Sequence, residues 1–310
     1  MIVRTKLNWL RMLFIWRGSV IRSVLPQLLT VLVISIIVTA THGYIYHYQV
    51  ELTVAPFTLL GVSLAIFLGF RNSASYDRYW EARKQWGTLL NVGRSLVRQA
   101  LTIGSLEQST PQTQQRNKEW VALLAAFAHA LRHQLRNTNP EPDLNRLLPP
   151  DICAQTLKTQ FRPIALLTEL GKWVSDGLRK GEYGEITAVA FDRNLNDLSE
   201  VVGACERLAN TPLPYPYSVM IHRTLYLYCL LLPFGLVSTL DYMTPVISVL
   251  VAYTFIALET LADEIEEPFG TLPNDLAIEY FSYGIEHSLQ EMIGQSVPEP
   301  ISGPKQYILL

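Results

Sequence analysis

The chain has 310 residues, 49% of them hydrophobic and only 17% charged, where soluble domains usually carry about 25% charged residues, so much of it is built to lie outside water. Lys and Arg number 25 against 27 Asp and Glu, a net charge of -2 that excludes the basic stripe of a nucleic-acid-binding surface. Cys153, Cys205 and Cys229 are odd in number and share no C-x-x-C spacing, which excludes a zinc knuckle or a redox pair.

The N-terminal stretch holds Arg4, Lys6, Arg11, Arg17 and Arg22 and no acidic residue. From Ser23 to Val50 there is no charged residue at all, and the apolar centre Leu28 to Ala40 predicts a first membrane helix ending in an interfacial belt of Tyr44, Tyr46 and Tyr48. No small-residue cleavage site closes this run, so it is expected to stay as an anchor. Glu51 follows it with no Lys or Arg, and the charge asymmetry places the N-terminus in the cytoplasm.

Thr53 to Phe70 is uncharged and long enough for a second span, about 27 Å at 1.5 Å per residue. Arg71, Arg78, Arg83 and Lys84 come next, marking the cytosolic side again. Within this span Thr58, Val62, Ile66 and Phe70 recur every four residues along one helix face. Such a face suits a narrow, dewetting pore, and it equally suits lipid contact or helix packing.

Residues 71–217 show helical periodicity, clearest from Trp120 to Arg132, and predict a cytosolic helical bundle. Gly104 to Arg116 and the proline-punctuated Asn137 to Pro150 read as loops between its helices. His129 and His133 share a helix face at the i, i+4 spacing of metal ligands, but no neighbouring carboxylate completes a site and solvated or packed histidines show the same pattern. The alternate prolines of Thr211 to Tyr217 exclude helix interior and mark the return to the membrane.

Thr224 to Leu240, with Pro233 and Gly235, and Tyr242 to Leu258 predict a third and fourth span around a turn at Asp241. Glu259, Asp263 and Glu266, with Glu264 and Glu267 beside them, form an acidic stripe at the inner end of the fourth. A solvated helix end explains them, and so does a site that draws in cations. A last helix is expected from Asn274 to Met292, followed by an extended tail. The chain has no phosphate-binding glycine loop, nucleophile elbow or H-E-x-x-H, so it offers no paired nucleophile and base and is read as a non-enzyme without cofactor.

Trp16-Arg17-Gly18-Ser19, Phe67 to Arg71, Tyr76 to Arg83, Pro214 to Tyr217 and Glu267-Pro268-Phe269-Gly270 together resemble the bestrophins in their bacterial branch, over nearly the whole chain and in order. The resemblance implies a homopentameric channel whose second spans line an apolar neck, here Val62, Ile66 and Phe70, with a cytosolic aperture at Ile186. The acidic run that follows this motif in animal members is replaced by Thr271 to Asp275, so calcium gating does not carry over. Glu264 and Asp275 are the carboxylates left to offer oxygens, two against the roughly six to eight that calcium takes.

The expected architecture is an all-α integral membrane protein with four transmembrane helices and a cytosolic helical bundle. Its parts are an N-terminal segment with two spans (1–70), the bundle (71–217), two further spans (218–262) and a C-terminal helix and tail (263–310). The expected setting is the bacterial inner membrane with both termini cytoplasmic, the partners being other copies of the chain, the lipid bilayer and monovalent ions. Bacterial character and the acidic stripe favour cations. Chloride is the alternative, a non-conducting scaffold is the competing class, and a membrane enzyme acting on lipids ranks last.

Overall fold

The computed structural model describes residues 1–2, 8–13, 15–16, 18–42, 44–45, 48–49, 52–104, 110–295 and 309. Arg4, Lys6, Arg17, Tyr46, Glu51 and all of the C-terminal tail except Leu309 lie outside them. In order the helices are α1 (Trp9–Leu13), α2 (Ile21–Ala40), α3 (Val54–Thr102), α4 (Pro111–Arg136), α5 (Glu141–Leu147), α6 (Pro150–Leu157), α7 (Arg162–Arg179), α8 (Glu185–Asn210), α9 (Tyr215–Leu240), α10 (Thr244–Glu266) and α11 (Ile278–Met292). The fold is all-α as expected, with one short strand pair beside the helices. Tyr44–Ile45 (β1) and Tyr48–Gln49 (β2) pair antiparallel between α2 and α3, where backbone groups between two helices are satisfied by a hairpin.

Two compact units result, one from Thr5–Tyr79 and Pro212–Pro268, the other from Trp80–Thr211 with the chain's two ends. Among the described residues, three stretches are long and apolar enough to cross a membrane: Ile21–Ala40, part of Val54–Thr102 and part of Tyr215–Glu266. The last is interrupted by a 3-10 turn at Asp241–Met243 between α9 and α10. Asp241 adopts a positive φ of 45° there, which ends α9.

The first unit is built on α2, the apolar half of α3, α9 and α10. Val24, Leu28 and Val31 of α2 meet Phe57, Leu64 and Leu68 of α3, Ile221, Leu225 and Leu232 of α9, and Ala252 and Ile256 of α10. Small buried residues let helices approach closely: Ser35 and Thr39 on α2, Thr244, Ser248 and Ala252 on α10. Pro233 and Gly235 are both buried within an α9 that continues past them, and the absence of a side chain at Gly235 admits the ring of Phe57. Thr58, Ser63, Thr224 and Thr254 donate to the carbonyl four residues earlier, which gives each hydroxyl a partner within its own helix.

The second unit wraps α4. Its stretch Trp120 to Arg132 is buried on every side, and α5, α7, α8 and α11 pack around it. Trp120 stacks on Trp173 at 4.2 Å between ring centres and meets Phe191 edge-on. Thr110 caps α4 by accepting from the amide of Thr113, with Pro111 in the first helical position.

Prolines account for most departures from the sequence reading. The stretch 137–150 contains α5, and Pro150 opens α6. Pro216 lies inside the first turn of α9, so the boundary falls at Pro214 rather than beyond Tyr217. In each case the missing N–H belongs to a first turn, whose amides have no intrahelical partner anyway. Pro111 likewise starts α4 inside the expected loop 104–116, and α11 begins at Ile278, four residues later than expected. Helix α3 runs without a break through position 70, where the sequence suggested a division.

A candidate apolar stripe and a buried charge cluster

In α3 the buried positions Phe57, Leu64, Leu68, Arg71 and Ser75 recur at alternating steps of three, four and seven and so form one packed stripe. Val62, Ile66 and Phe70 point the other way, at 56%, 54% and 66% exposure. Thr58 joins them, its hydroxyl folded back onto the carbonyl of Val54. Alternation at 100° per residue produces this split, because a residue two positions from a buried one lies nearly opposite it. The protomer therefore leaves a continuous apolar row uncovered at the expected neck positions.

In the other unit Ile186 is 89% exposed in the first turn of α8, with Val189 also exposed one turn on.

Partway along α3 the packed stripe carries Arg71. Its side chain is 2% exposed, its Nη2 contacts Asp263 and stands 3.6 Å from Glu266, and its Nη1 is 3.6 Å from Glu259. The carboxylates come from α10 at positions 259, 263 and 266, a spacing that puts them on one helix face. Around this core, Nδ1 of His222 lies 2.7 Å from Glu259 and the backbone amide of Leu213 donates to Glu266 at 3.1 Å. Arg78 donates to the carbonyl of Glu266 at 3.1 Å, and the hydroxyl of Tyr217 to the carbonyl of Phe67 at 3.2 Å. The cluster ties α3, the entry to α9 and α10 together.

This geometry changes the reading of two sequence features. Arg71 does not serve as a solvated marker of the cytosolic side, because it is buried among carboxylates that compensate its charge. Glu259 is buried too, and only Asp263 among the three stripe acids is well exposed. Three carboxylates against two guanidiniums, Arg71 and Arg78, still leave one excess negative charge. The missed partners were Arg71, His222 and Tyr217. A lone arginine directly after an apolar run, with acids at i, i+4 and i+7 in a later span, is the signal that would have found the first.

His129 and His133 both face Asp143 Oδ2, at 3.6 Å from His129 Nδ1 and 2.9 Å from His133 Nε2, with only His133 within hydrogen-bond range. Nε2 of His129 lies 2.7 Å from Glu286. Asp275 is buried and accepts from the amide of Leu272 at 2.6 Å, closing a turn, while Glu264 is half-buried on α10. Among the described residues no three His, Cys, Asp or Glu side chains gather as a metal-binding group.

Residues 1–291 match the family model described as bacterial/fungal bestrophin protein. A Ralstonia nicotianae protein named as a voltage-dependent anion channel-forming protein is 50% identical over 295 residues, covering 95% of each chain. An Escherichia coli protein of the same name is 41% identical over the full length of both. The crystal structure of a bacterial bestrophin homolog from Klebsiella pneumoniae superposes with a TM-score of 0.83 at 42% identity, covering 88% of this chain and 99% of that one.

Proposed function

Since this chain belongs to the bacterial and fungal bestrophin family, we propose that it forms a passive pore for small monovalent ions, built from several copies around a central axis. The observation that carries this reading is the uncovered apolar row Val62, Ile66 and Phe70 on the face of α3 opposite its packed stripe. One copy of such a row encloses nothing. A ring of them makes a narrow apolar neck through which hydrated ions pass only when it is wetted.

The family resemblance supports five copies. It also supports four spans per protomer, α2, the first half of α3, α9 and α10, in the bacterial inner membrane with both termini cytoplasmic. In this arrangement residues 71–217 and 263–310 form the cytosolic part, and Ile186 rings a second constriction there. No catalytic role is assigned to any residue.

The sign of the ion has two supports that point in opposite directions. Excess carboxylate around Arg71 favours cations near the inner end of the spans. The printed names of the relatives say anion, and an apolar neck carries no charge to oppose chloride. Purified protein recorded in a planar bilayer under a KCl gradient decides between them by its reversal potential. Reversal toward the potassium potential keeps the carboxylates as the selective element; reversal toward chloride assigns selectivity elsewhere. Absence of unitary currents from folded protein across voltage refutes the pore, as does a stable monomer by native mass measurement, which favours a scaffold.

A further inference from the structure

A knot of ionisable side chains joins α4, α5 and α11 inside the second unit. The ring of His129 at its centre is 0% exposed, with Nε2 2.7 Å from Glu286 Oε2. Arg146 grips both oxygens of Glu286, Nη2 at 2.8 Å from Oε2 and Nη1 on Oε1. These donors hold the Glu286 carboxyl down to about 2 against the cost of its burial, so it is ionised and accepts only. Nε2 of His129 therefore carries the proton, and Nδ1 keeps a bare lone pair.

That Nδ1 has no hydrogen-bond partner. The atom facing it is Asp143 Oδ2 at 3.6 Å, which already accepts from Arg132 Nη2 at 2.5 Å and lies 2.9 Å from His133 Nε2, itself 2.6 Å from the same Arg132 nitrogen. The other Asp143 oxygen accepts from Tyr283 at 3.2 Å and lies 3.6 Å from Arg146. The charged and titratable groups around the ring are thus Arg132 and His133 of its own helix, Asp143 and Arg146 of α5, and Tyr283 and Glu286 of α11. Helices α7 and α8 meet α4 elsewhere, through Arg116 against the Trp173 carbonyl and Gln134 against Glu206. Two guanidiniums balance two carboxylates, so the knot is neutral while both imidazoles are neutral.

We propose that His129 is the proton-binding centre of an acid-released latch: neutral, it lets α11 pack on α4 around the Nε2–H bond to Glu286, and a proton taken from water onto Nδ1, though it leaves that bond in place, puts a charge inside the packed junction and loosens it. A proton there puts unbalanced charge where no water reaches. Its one facing acceptor is already bonded to Arg132 and out of hydrogen-bond range, and that guanidinium stands nearby. Accommodating the imidazolium requires Asp143 to leave its donors or water to enter between the helices. Burial accordingly holds the imidazole below its ordinary value. A group whose folded value is depressed takes up its proton first in the loosened chain, so the hold is complete above about pH 6.5 and weakens as pH falls below it.

Two measurements on the purified full chain in detergent test this. Exchange of the imidazole C2 proton, read by mass spectrometry across pH, gives each histidine its own midpoint without substitution. The expected midpoint for His129 lies below the ordinary imidazole value, and one at or above it overturns the proposal. Backbone amide exchange in Ile278–Met292, corrected for the intrinsic effect of pH, is expected to lose protection between about pH 7 and pH 5.5. His129→Gln keeps an N–H for Glu286 and does not titrate in this window, so its α11 is expected to stay equally protected at both values. Unchanged protection in the wild type, or an equal loss in the folded variant, overturns the latch.

Discussion

Gly235 has no side chain where the ring of Phe57 lies: a Cβ at position 235 would stand 2.7 Å from Phe57 Cδ2 and Cε2. Real Cβ atoms do not tolerate that approach, so α9 and α3 keep their separation only while position 235 is glycine. Gly235→Ala should destabilise the protein by about 1–3 kcal/mol, the usual cost of overpacking. Phe57→Ala should cost stability alone but relieve the clash in the double variant. Thermal unfolding in detergent of the two single variants and the double one reads the coupling, and simple additivity would mean the two positions do not interact.

Arg71 is the common partner of Glu259, Asp263 and Glu266. Arg71→Met leaves those carboxylates without their counter-charge, and a loss of about 3–5 kcal/mol is expected from breaking such a buried set. Arg71→Lys should rescue little, since one ammonium cannot fan out to three acceptors as a guanidinium does. Adding Glu259→Gln to Arg71→Met should recover part of the loss, which denaturation of the purified variants measures. In recordings Glu259→Gln alone should lower cation flux, more so at low salt where screening is weak; an effect independent of salt would leave Glu259 a purely structural partner of Arg71 and His222.

Ile66→Ala and Phe70→Ala remove apolar bulk from the uncovered row of α3 without touching its packed stripe. Both should raise unitary conductance while oligomer size and thermal stability stay as in the wild type. Neither residue is buried in the protomer, so a change in stability without a change in current would assign the row to packing between copies rather than to the conduit.

Donors hold the carboxyls of Asp143 and Glu286 well below the usual carboxylate range, Glu286 at about 2. Their unfolded values lie near 4. Being depressed in the folded chain, both contribute stability that is present above about pH 4 and drains away toward pH 2, on the order of a few kcal/mol. Glu286→Gln should be less stable at neutral pH and show a shallower acid decline. A wild-type unfolding profile flat from about pH 5 to pH 3 would contradict this account.

The apolar runs and the ordered motifs made the membrane helices and the family legible, because twenty uncharged residues have few other uses and several motifs in sequence rarely coincide. The four-residue recurrence at Val62, Ile66 and Phe70 was visible as well, though recurrence says nothing about which side of a helix is covered. What stayed hidden was tertiary. Arg71 resembled any arginine at a membrane edge until α10 brought Glu259 and Asp263 to it. His129 and His133 suggested a shared metal because their carboxylates, Asp143 and Glu286, come from other helices. Prolines misled at 137–150 and 214–216, where the chain uses them to begin helices.

The hydrophobic core that holds Leu64 and Leu68 of α3 against Ile221 and Leu225 of α9 is split in the chain by most of the second unit. A ribosome adding roughly 5–20 residues per second needs on the order of 10–30 s to travel between the two halves. Throughout that interval α2 and α3 have one apolar face unmatched, and the guanidinium of Arg71 has none of the carboxylates that later surround it. The earliest-made part of this protein is thus among the last to reach its final contacts, and the delay between the two halves of this core is when a nascent copy carries the most unmatched apolar surface.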